Sequence, residues 1–144
     1  MTVAVSACLL GERCKWDGGD NRSEAVIRFC EGCRVIPVCP EVAGGLPVPR
    51  LPAELRGGEV IRRDGVSVDA AFRAGAARCL ALLEAESVDL AILKARSPSC
   101  GSGQIYDGSF SGRLVPGDGV FAALLRGRGI PVTDEEHLPV KTDE

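Results

Sequence analysis

Short apolar runs alternate along the chain with segments in which apolar residues recur at helical spacing. The runs that predict buried strands cover residues 2–7, 34–38, 88–93 and 130–133. The segments that predict helices cover residues 23–31, 69–86 and 120–126. Strands that alternate with helices are typical of a parallel sheet with helices packed on it. The pattern therefore predicts a small α/β domain, Rossmann-like and three-layered, with a mostly parallel sheet of about four strands.

Local signals place the beginning of the first helix and one turn. Asn21, followed three residues later by Glu24, is typical of a capping box and predicts Asn21 as the N-terminal cap. Residues 59–61 and 66–68, joined through the turn pair at 64–65, predict a short β-hairpin. The hairpin would stand apart from the parallel sheet.

Two long segments have no regular pattern. Residues 40–52 are rich in proline and glycine, which predicts an irregular loop. Residues 101–119 are rich in glycine, and no element is predicted there. Because loops of this length inside small domains are usually functional, we expect residues 40–52 to contribute to a site.

Length and composition exclude several classes of protein. A chain of 144 residues is typical of one domain, so residues 1–144 are predicted to form a single unit. Hydrophobic residues make up 45% of the chain, which excludes a disordered protein. The net charge of −3 argues against a nucleic-acid polymer as partner. No run approaches the roughly 18 apolar residues that span a bilayer, so no membrane partner is expected.

The chain contains seven cysteines, an odd number that cannot pair completely. No secretory leader is recognised before the first predicted strand. We therefore expect a cytoplasmic protein, in which cysteines serve metal binding, redox chemistry or core packing rather than disulfides.

Three cysteines follow predicted strands: Cys8, Cys39 and Cys100. Parallel strands end at the same edge of a sheet, where ligands bind, so the three thiols are expected to converge. Three thiolates can hold a zinc ion or an iron–sulfur cluster. Either centre would keep one position open, as catalytic metal sites do.

The other cysteines have simpler readings, because cysteine is among the most buried residue types. Cys79 lies on the apolar stripe of the longest predicted helix and is expected to pack in the core. Cys30 and Cys33 form a Cys-x-x-Cys pair, for which core packing is the first interpretation and a disulfide or auxiliary site the second. Cys14 lies in the first glycine-rich loop, where a bystander, a sulfur relay and a substitute ligand all remain open.

Polar residues beside these cysteines are candidates for chemistry. Glu41 lies two residues after Cys39 and is a candidate general acid or base, or else an exposed loop charge. Ser97, Ser99 and Ser102 flank Cys100 and can donate hydrogen bonds to sulfur or substrate, or simply form turns.

Two cations belong to the same group of candidates. Arg50 and Lys94 can neutralise an anionic cluster or anchor a carbonyl, or be solvated. The only histidine, His137, lies in a polar tail, which gives histidine-based chemistry little support. No nucleotide-binding glycine motif is present.

Four separated motifs resemble those of the TudS-like thiouracil desulfidase family, and the resemblance extends over nearly the whole chain. They are Ser-Ala-Cys-Leu-Leu-Gly with Cys-Lys-Trp-Asp-Gly at 6–18, Cys-Pro-Glu to Pro-Val-Pro-Arg at 39–50, Ser-Pro-Ser-Cys-Gly at 97–101, and Tyr-Asp-Gly-Ser-Phe-Ser-Gly at 106–112. Trp16 and Phe121 depart from the residues usual in the family, and would alter substrate choice if they line the pocket.

The resemblance implies a [4Fe-4S] cluster held by Cys8, Cys39 and Cys100, with the fourth iron free to bind the sulfur of the substrate. It also implies that Glu41 is the catalytic acid/base and that Ser97 supplies an assisting hydroxyl. The expected reaction is non-redox conversion of a small thio-nucleobase, 2-thiouracil or a relative, to its oxo form and sulfide. The alternative is a non-enzymatic module that carries a metal or sulfur, with iron–sulfur or zinc bound through the same cysteines.

Overall fold

A four-stranded parallel sheet forms the centre of the protein in the computed structural model, which describes residues 1–140. In chain order the strands are β1 (Thr2–Ser6), β2 (Arg34–Val38), β3 (Ala53–Arg56), β4 (Glu59–Arg62), β5 (Leu90–Leu93), β6 (Gln104–Tyr106), β7 (Leu114–Pro116) and β8 (Val132–Asp134). The helices are α1 (Glu24–Phe29), α2 (Pro40–Ala43), α3 (Asp69–Ala85) and α4 (Val120–Gly127), with a 3-10 helix at Ala7–Leu10.

The parallel sheet has the strand order β2-β1-β5-β8. Ala4 of β1 pairs with Ile36 on one side and with Ala91 on the other. The direction of the strand order reverses between β1 and β5, and the crevice beyond the carboxyl ends of strands at such a switch point is where open α/β sheets bind ligands.

Alternating side chains of β1 enter two separate cores, one on each face of the sheet. Val3 and Val5 are fully buried with Val26 and Phe29 of α1. Ala4 points the other way, into the core formed with α3 and α4. Because strand side chains alternate between faces, this arrangement buries the central strand completely. The three-layer α/β prediction is confirmed.

Two glycines bring α2 and α3 into close contact. A Cβ atom on Gly75 would lie 1.7 Å from the carbonyl oxygen of Pro40, and one on Gly44 would lie 2.1 Å from that of Ala71. Only residues without side chains allow the backbones to approach so closely. The first turn of α2, which carries Glu41, is therefore fixed against α3. None of the helices within residues 1–140 has the length and apolar character to cross a bilayer.

The predicted helices and parallel strands are present, most of them with shifted ends, and the predicted helix cap is wrong. The hydroxyl of Ser23, not the side chain of Asn21, caps α1 by accepting a hydrogen bond from the amide of Val26 at 3.2 Å. The reason is geometric, because Ser23 directly precedes the first helical residue and its oxygen reaches the free amides of the first turn.

The loop predictions also need correction. Residues 40–52 are not wholly irregular, because Pro40 begins the short helix α2, a position where the missing amide of proline costs nothing. The predicted hairpin forms in part: the amide of Arg62 donates to the Val66 carbonyl at 2.8 Å and that of Val68 to the Val60 carbonyl at 3.0 Å, around one bridge between Ile61 and Ser67. On its other edge β4 also pairs with β3, across a turn at Gly57 and Gly58, both with positive φ.

A second hairpin lies in the glycine-rich segment 101–119, where no element is predicted. It pairs β6 with β7, so that Ile105 lies opposite Val115. Its strands are three residues each, too short to show a period of alternation.

Candidate active site

A cavity of about 360 Å³ opens beyond the carboxyl ends of β1, β2 and β5, at the switch point of the sheet. The side chains that line it include four cysteines, Cys8, Cys14, Cys39 and Cys100, together with Glu41, Arg50, Lys94, Ser97, Ser99 and Trp16. All four of these cysteines are free thiols. The expected convergence of cysteines at this edge is thus observed.

Each of the three strand-end cysteines is held by a different local structure. Cys8 lies in the 3-10 helix after β1, and Cys39 caps α2 directly after β2. Cys100 does not follow β5 directly but lies further along, in a turn where its amide donates to Ser97 Oγ at 3.1 Å. The loop from residues 94 to 99 brings Cys100 back to the same edge of the sheet.

Burial keeps two of these thiols from ionising by themselves. Burial raises the pKa of Cys100 to about 12, against hydrogen bonds from Ser6 and Ser99 that act in the opposite direction. Burial also raises the pKa of Cys8, and the negative charge of Cys39 adds to the effect. A bound metal cation favours the deprotonated form of its cysteine ligands. It would therefore offset both the cost of burial and the repulsion between neighbouring thiolates.

Cys39 is the cavity cysteine whose pKa is lowered, and Cys14 is its direct partner. The hydrogen bond from the Cys14 thiol lowers the pKa of Cys39 to about 7, with help from the amide of Val42. The same hydrogen bond raises the pKa of Cys14. The structure therefore places Cys14 in the site, beside a strand-end cysteine.

The remaining cysteines lie outside the cavity. Cys30 is buried in the core beside α1, and Cys33 lies just beyond it with Sγ 3.8 Å from the Phe29 carbonyl oxygen. Cys79 is buried on α3, and burial raises its pKa to about 11. The sulfur of Cys79 accepts a hydrogen bond from the backbone amide of Cys39, so it also supports the backbone at the site. Core packing, the first interpretation for these three, agrees with the burial of Cys30 and Cys79, and Cys33 is partly buried against the same core as Cys30.

Both carboxylate oxygens of Glu41 have partners. Oε1 accepts from Arg50 Nε at 3.2 Å, and Oε2 accepts from Ser99 Oγ at 2.9 Å. The exposed fractions of the Glu41 and Arg50 side chains are 18% and 8%. Glu41 is therefore a clamped, mostly buried carboxylate, and the reading as an exposed loop charge is wrong.

The three serines near Cys100 have different environments. Ser97 Oγ accepts the amides of Ser99 and Cys100, each at 3.1 Å, and so forms the turn. Ser99 Oγ bridges Ser97 and Glu41. Ser102 bonds instead to Arg126 and does not line the cavity.

Two residues that contact the site could not be predicted from the sequence. Glu135 Oε2 lies 2.9 Å from Lys94 Nζ, and its other oxygen accepts the amide of Ala95 at 2.7 Å. Asn21 donates a side-chain hydrogen bond to the sulfur of Cys8, which lowers the pKa of that thiol. No local signal indicates either contact, because each arises from chain segments that meet only in the folded protein.

The two departures from the family pattern lie in different places. Trp16 lines the cavity, and 42% of its surface is exposed. Phe121 is fully buried in the core against α3 and does not line the cavity. Only Trp16 can therefore contact a ligand there.

The donor set of the cavity fits a polynuclear soft-metal group. Thiolates are the preferred ligands of iron–sulfur clusters. Among residues 1–140, no three histidine, cysteine or acidic side chains gather closely enough to share a single metal ion. A cluster of several metal atoms is wider than one ion, so its ligands stand further apart around a common cavity. Cys8, Cys39 and Cys100 all line this one cavity.

The fold and the site define the class: a parallel α/β protein whose switch-point cavity combines free thiols with a clamped carboxylate. Within that class the chain belongs to the 2-thiouracil desulfurase family, whose model matches residues 3–137.

Two relatives extend the comparison over almost the full length. The protein YbbK of Bacillus subtilis (strain 168) is 38% identical over 146 residues, which cover 94% of this chain and 97% of YbbK. The solved structure of a [4Fe-4S]-dependent thiouracil desulfidase, TudS, is 46% identical with a TM-score of 0.89, and the match covers 96% of this chain and 93% of TudS. The family resemblance read from the motifs is confirmed.

Proposed function

We propose that this protein is a cytoplasmic [4Fe-4S]-dependent desulfidase that converts 2-thiouracil, or a related thio-nucleobase, to the oxo base and sulfide. One observation carries the proposal: three free thiols and a clamped carboxylate line one cavity in a chain that is 46% identical to TudS. Free thiols in the cavity also suit a reducing compartment.

Cys8, Cys39 and Cys100 would hold the cluster. When bound through three thiolates, such a cluster supplies an iron without a protein ligand, a thiophilic Lewis acid that draws electron density from a carbon–sulfur double bond. Cys14 donates to Cys39 and is therefore assigned beside the cluster rather than among its three ligands.

Glu41 is the residue we assign to proton transfer. Arg50 and Ser99 hold its two oxygens, so the carboxylate faces the cavity from a fixed position. It would accept a proton from the attacking water and return one to the ring nitrogen or the departing sulfur. Ser97, whose hydroxyl is joined to Glu41 through Ser99, would assist by relaying a proton. The overall reaction adds water and releases hydrogen sulfide, so no electron donor is needed.

The test is anaerobic turnover by the reconstituted protein. With 2-thiouracil as substrate, we expect uracil and sulfide in equal amounts over many turnovers. Replacing Glu41→Gln should abolish turnover while the cluster absorption remains, and Glu59→Gln on the exposed hairpin is the matched control. Sulfide release that stops after one equivalent would instead indicate a sulfur carrier, and unchanged activity of the Glu41 variant would remove Glu41 from the mechanism.

A further inference from the structure

Two serine hydroxyls lie beside Glu41, but only one of them touches its carboxylate. Ser99 Oγ is 2.9 Å from Glu41 Oε2 and 3.0 Å from Ser97 Oγ. Within residues 1–140, the hydrogen bonds connect Ser97 to Glu41 only through Ser99. Ser99 is therefore the link between the two side chains to which the proposed function gives catalytic roles.

Counting donors fixes the direction of this chain of hydrogen bonds. Ser97 Oγ already accepts two amides, those of Ser99 and Cys100, which use both of its lone pairs. Its own proton is thus left to donate to Ser99 Oγ. Ser99 in turn has one proton and two acceptors within reach, Glu41 Oε2 at 2.9 Å and Cys100 Sγ at 3.5 Å. The ionised carboxylate is the closer and stronger acceptor, so that proton points mainly to Glu41. The hydrogen bonds are therefore donated from Ser97 to Ser99 and from Ser99 to Glu41.

The backbone of Ser99 is held independently of its hydroxyl. Its carbonyl oxygen accepts the amides of Phe121 at 2.8 Å and Ala122 at 3.1 Å, at the start of α4. A Cβ atom on Gly119 would lie only 2.5 Å from the carbonyl carbon of Ser99, so the two backbones are in tight contact. The Ser99 residue is 1% exposed. A rigid anchor thus presents the hydroxyl, and removing the hydroxyl leaves the anchor in place.

We propose that Ser99 is a positioning residue of the desulfidase, which holds Glu41 Oε2 and orients the hydroxyl of Ser97. Arg50 holds the other oxygen of the same carboxylate, so the two partners together fix its rotation. The proposal deepens the proposed function and rests on it for its kinetic consequence. Misplacing a catalytic group by about 1 Å can slow a reaction on the order of 100-fold, which sets the scale of the effect.

The kinetic test compares Ser99→Ala with Ser99→Thr and with Ser102→Ala, whose hydroxyl lies outside the cavity. For Ser99→Ala we expect kcat to fall roughly 10- to 100-fold with little change in KM and with full iron content. Ser99→Thr, which keeps the hydroxyl, should recover most of the loss. The double variant Ser97→Ala/Ser99→Ala should be no slower than the worse single variant, because both hydroxyls belong to the same series of hydrogen bonds. A kcat of Ser99→Ala within about twofold of wild type would overturn the proposal.

A crystal structure of Ser99→Ala gives a readout that needs no turnover. We expect the Glu41 carboxylate to rotate away or to occupy two positions, while Arg50 and Cys100 stay in place. A carboxylate that keeps its wild-type position would overturn the positioning role. If the alanine variant does not fold, Ser99→Cys carries the same comparison. Absence of thiouracil turnover in the wild-type protein would defeat the proposed function, but this structural comparison would still decide the role of Ser99.

Discussion

Arg50 joins Glu41 to two separate loops through one guanidinium group. Its Nε lies 3.2 Å from Glu41 Oε1, and its terminal nitrogens donate to the carbonyls of Cys14 at 2.9 Å and Pro47 at 3.2 Å. The planar fork of arginine supports several such bonds at once, whereas lysine offers a single point of charge. The position of Glu41 and the shape of the Cys14 loop therefore depend on the same side chain.

Replacing Arg50→Gln should destabilise the protein and slow it. The change leaves the mostly buried carboxylate of Glu41 without its cation, which costs about 3 kcal/mol of unfolding free energy. Denaturant unfolding measures this loss. Arg62→Gln is the control, because its pair with Asp64 is much more exposed and should contribute far less to the unfolding free energy. Equal stability of the two variants would contradict the assigned role of Arg50.

The contact between α2 and α3 predicts a second, purely steric effect. In Gly75→Ala the new methyl group would meet the Pro40 carbonyl oxygen at 1.7 Å, so the helices must separate. We expect a loss of about 1–3 kcal/mol in unfolding free energy, and a lower kcat because Glu41 moves with α2. Gly127→Ala, which has open space around it, should be neutral or stabilising by up to about 1 kcal/mol. A Gly75→Ala protein with wild-type stability and activity would show that the contact is not needed.

Much of the fold could be predicted because its strands have strong local signals. Residues 34–38 are predicted as a strand and form β2 with the same ends. The strand order could not be predicted, because pairs such as Ala4 with Ala91 join distant segments without any local signal. The short strands β6 and β7 were missed for another reason, since glycines surround them and each is too short for a pattern.

Two cysteines of the site could be predicted from their positions at the ends of strands. Cys8 and Cys39 line the cavity as expected, because each follows the carboxyl end of a parallel strand. The contact of Ser99 with Glu41 could not be predicted, since it depends on how two loops meet in the folded protein. The contact between Ala95 and Glu135 was missed because the predicted tail showed only polarity.

Trp16 offers a direct signal of ligand binding. It is the only tryptophan of the chain, and it lines the cavity with 42% of its surface exposed. Binding of 2-thiouracil should therefore quench or shift its fluorescence, in proportion to occupancy of the site. Trp16→Phe should weaken binding by about 0.5–1.5 kcal/mol if the indole stacks on the heterocycle. Titration at saturating ligand with no change in fluorescence would contradict contact between Trp16 and the substrate.

His137, which does not line the cavity, gives a separate pH dependence. A hydrogen bond to Asp134, 2.8 Å from Nδ1, raises the pKa of His137, and the charges of Asp134 and Glu136 add to it. A raised folded-state pKa means that the protonated pair stabilises the fold below about pH 6.5, and that this contribution is lost as the pH rises through the higher value. NMR titration of this single histidine measures the shift. Asp134→Asn should lower the midpoint, and a wild-type midpoint at or below about 6.5 would contradict the pairing.

The most direct test of the account is the iron and acid-labile sulfide content of the anaerobically reconstituted protein. Wild-type protein should contain roughly four of each per chain, as a [4Fe-4S] cluster requires. Cys8→Ser, Cys39→Ser and Cys100→Ser should each lose most of both, whereas Cys33→Ser, outside the cavity, should keep them. Wild-type protein that binds zinc without labile sulfide, or a Cys100→Ser protein with a full cluster, would contradict the central claim.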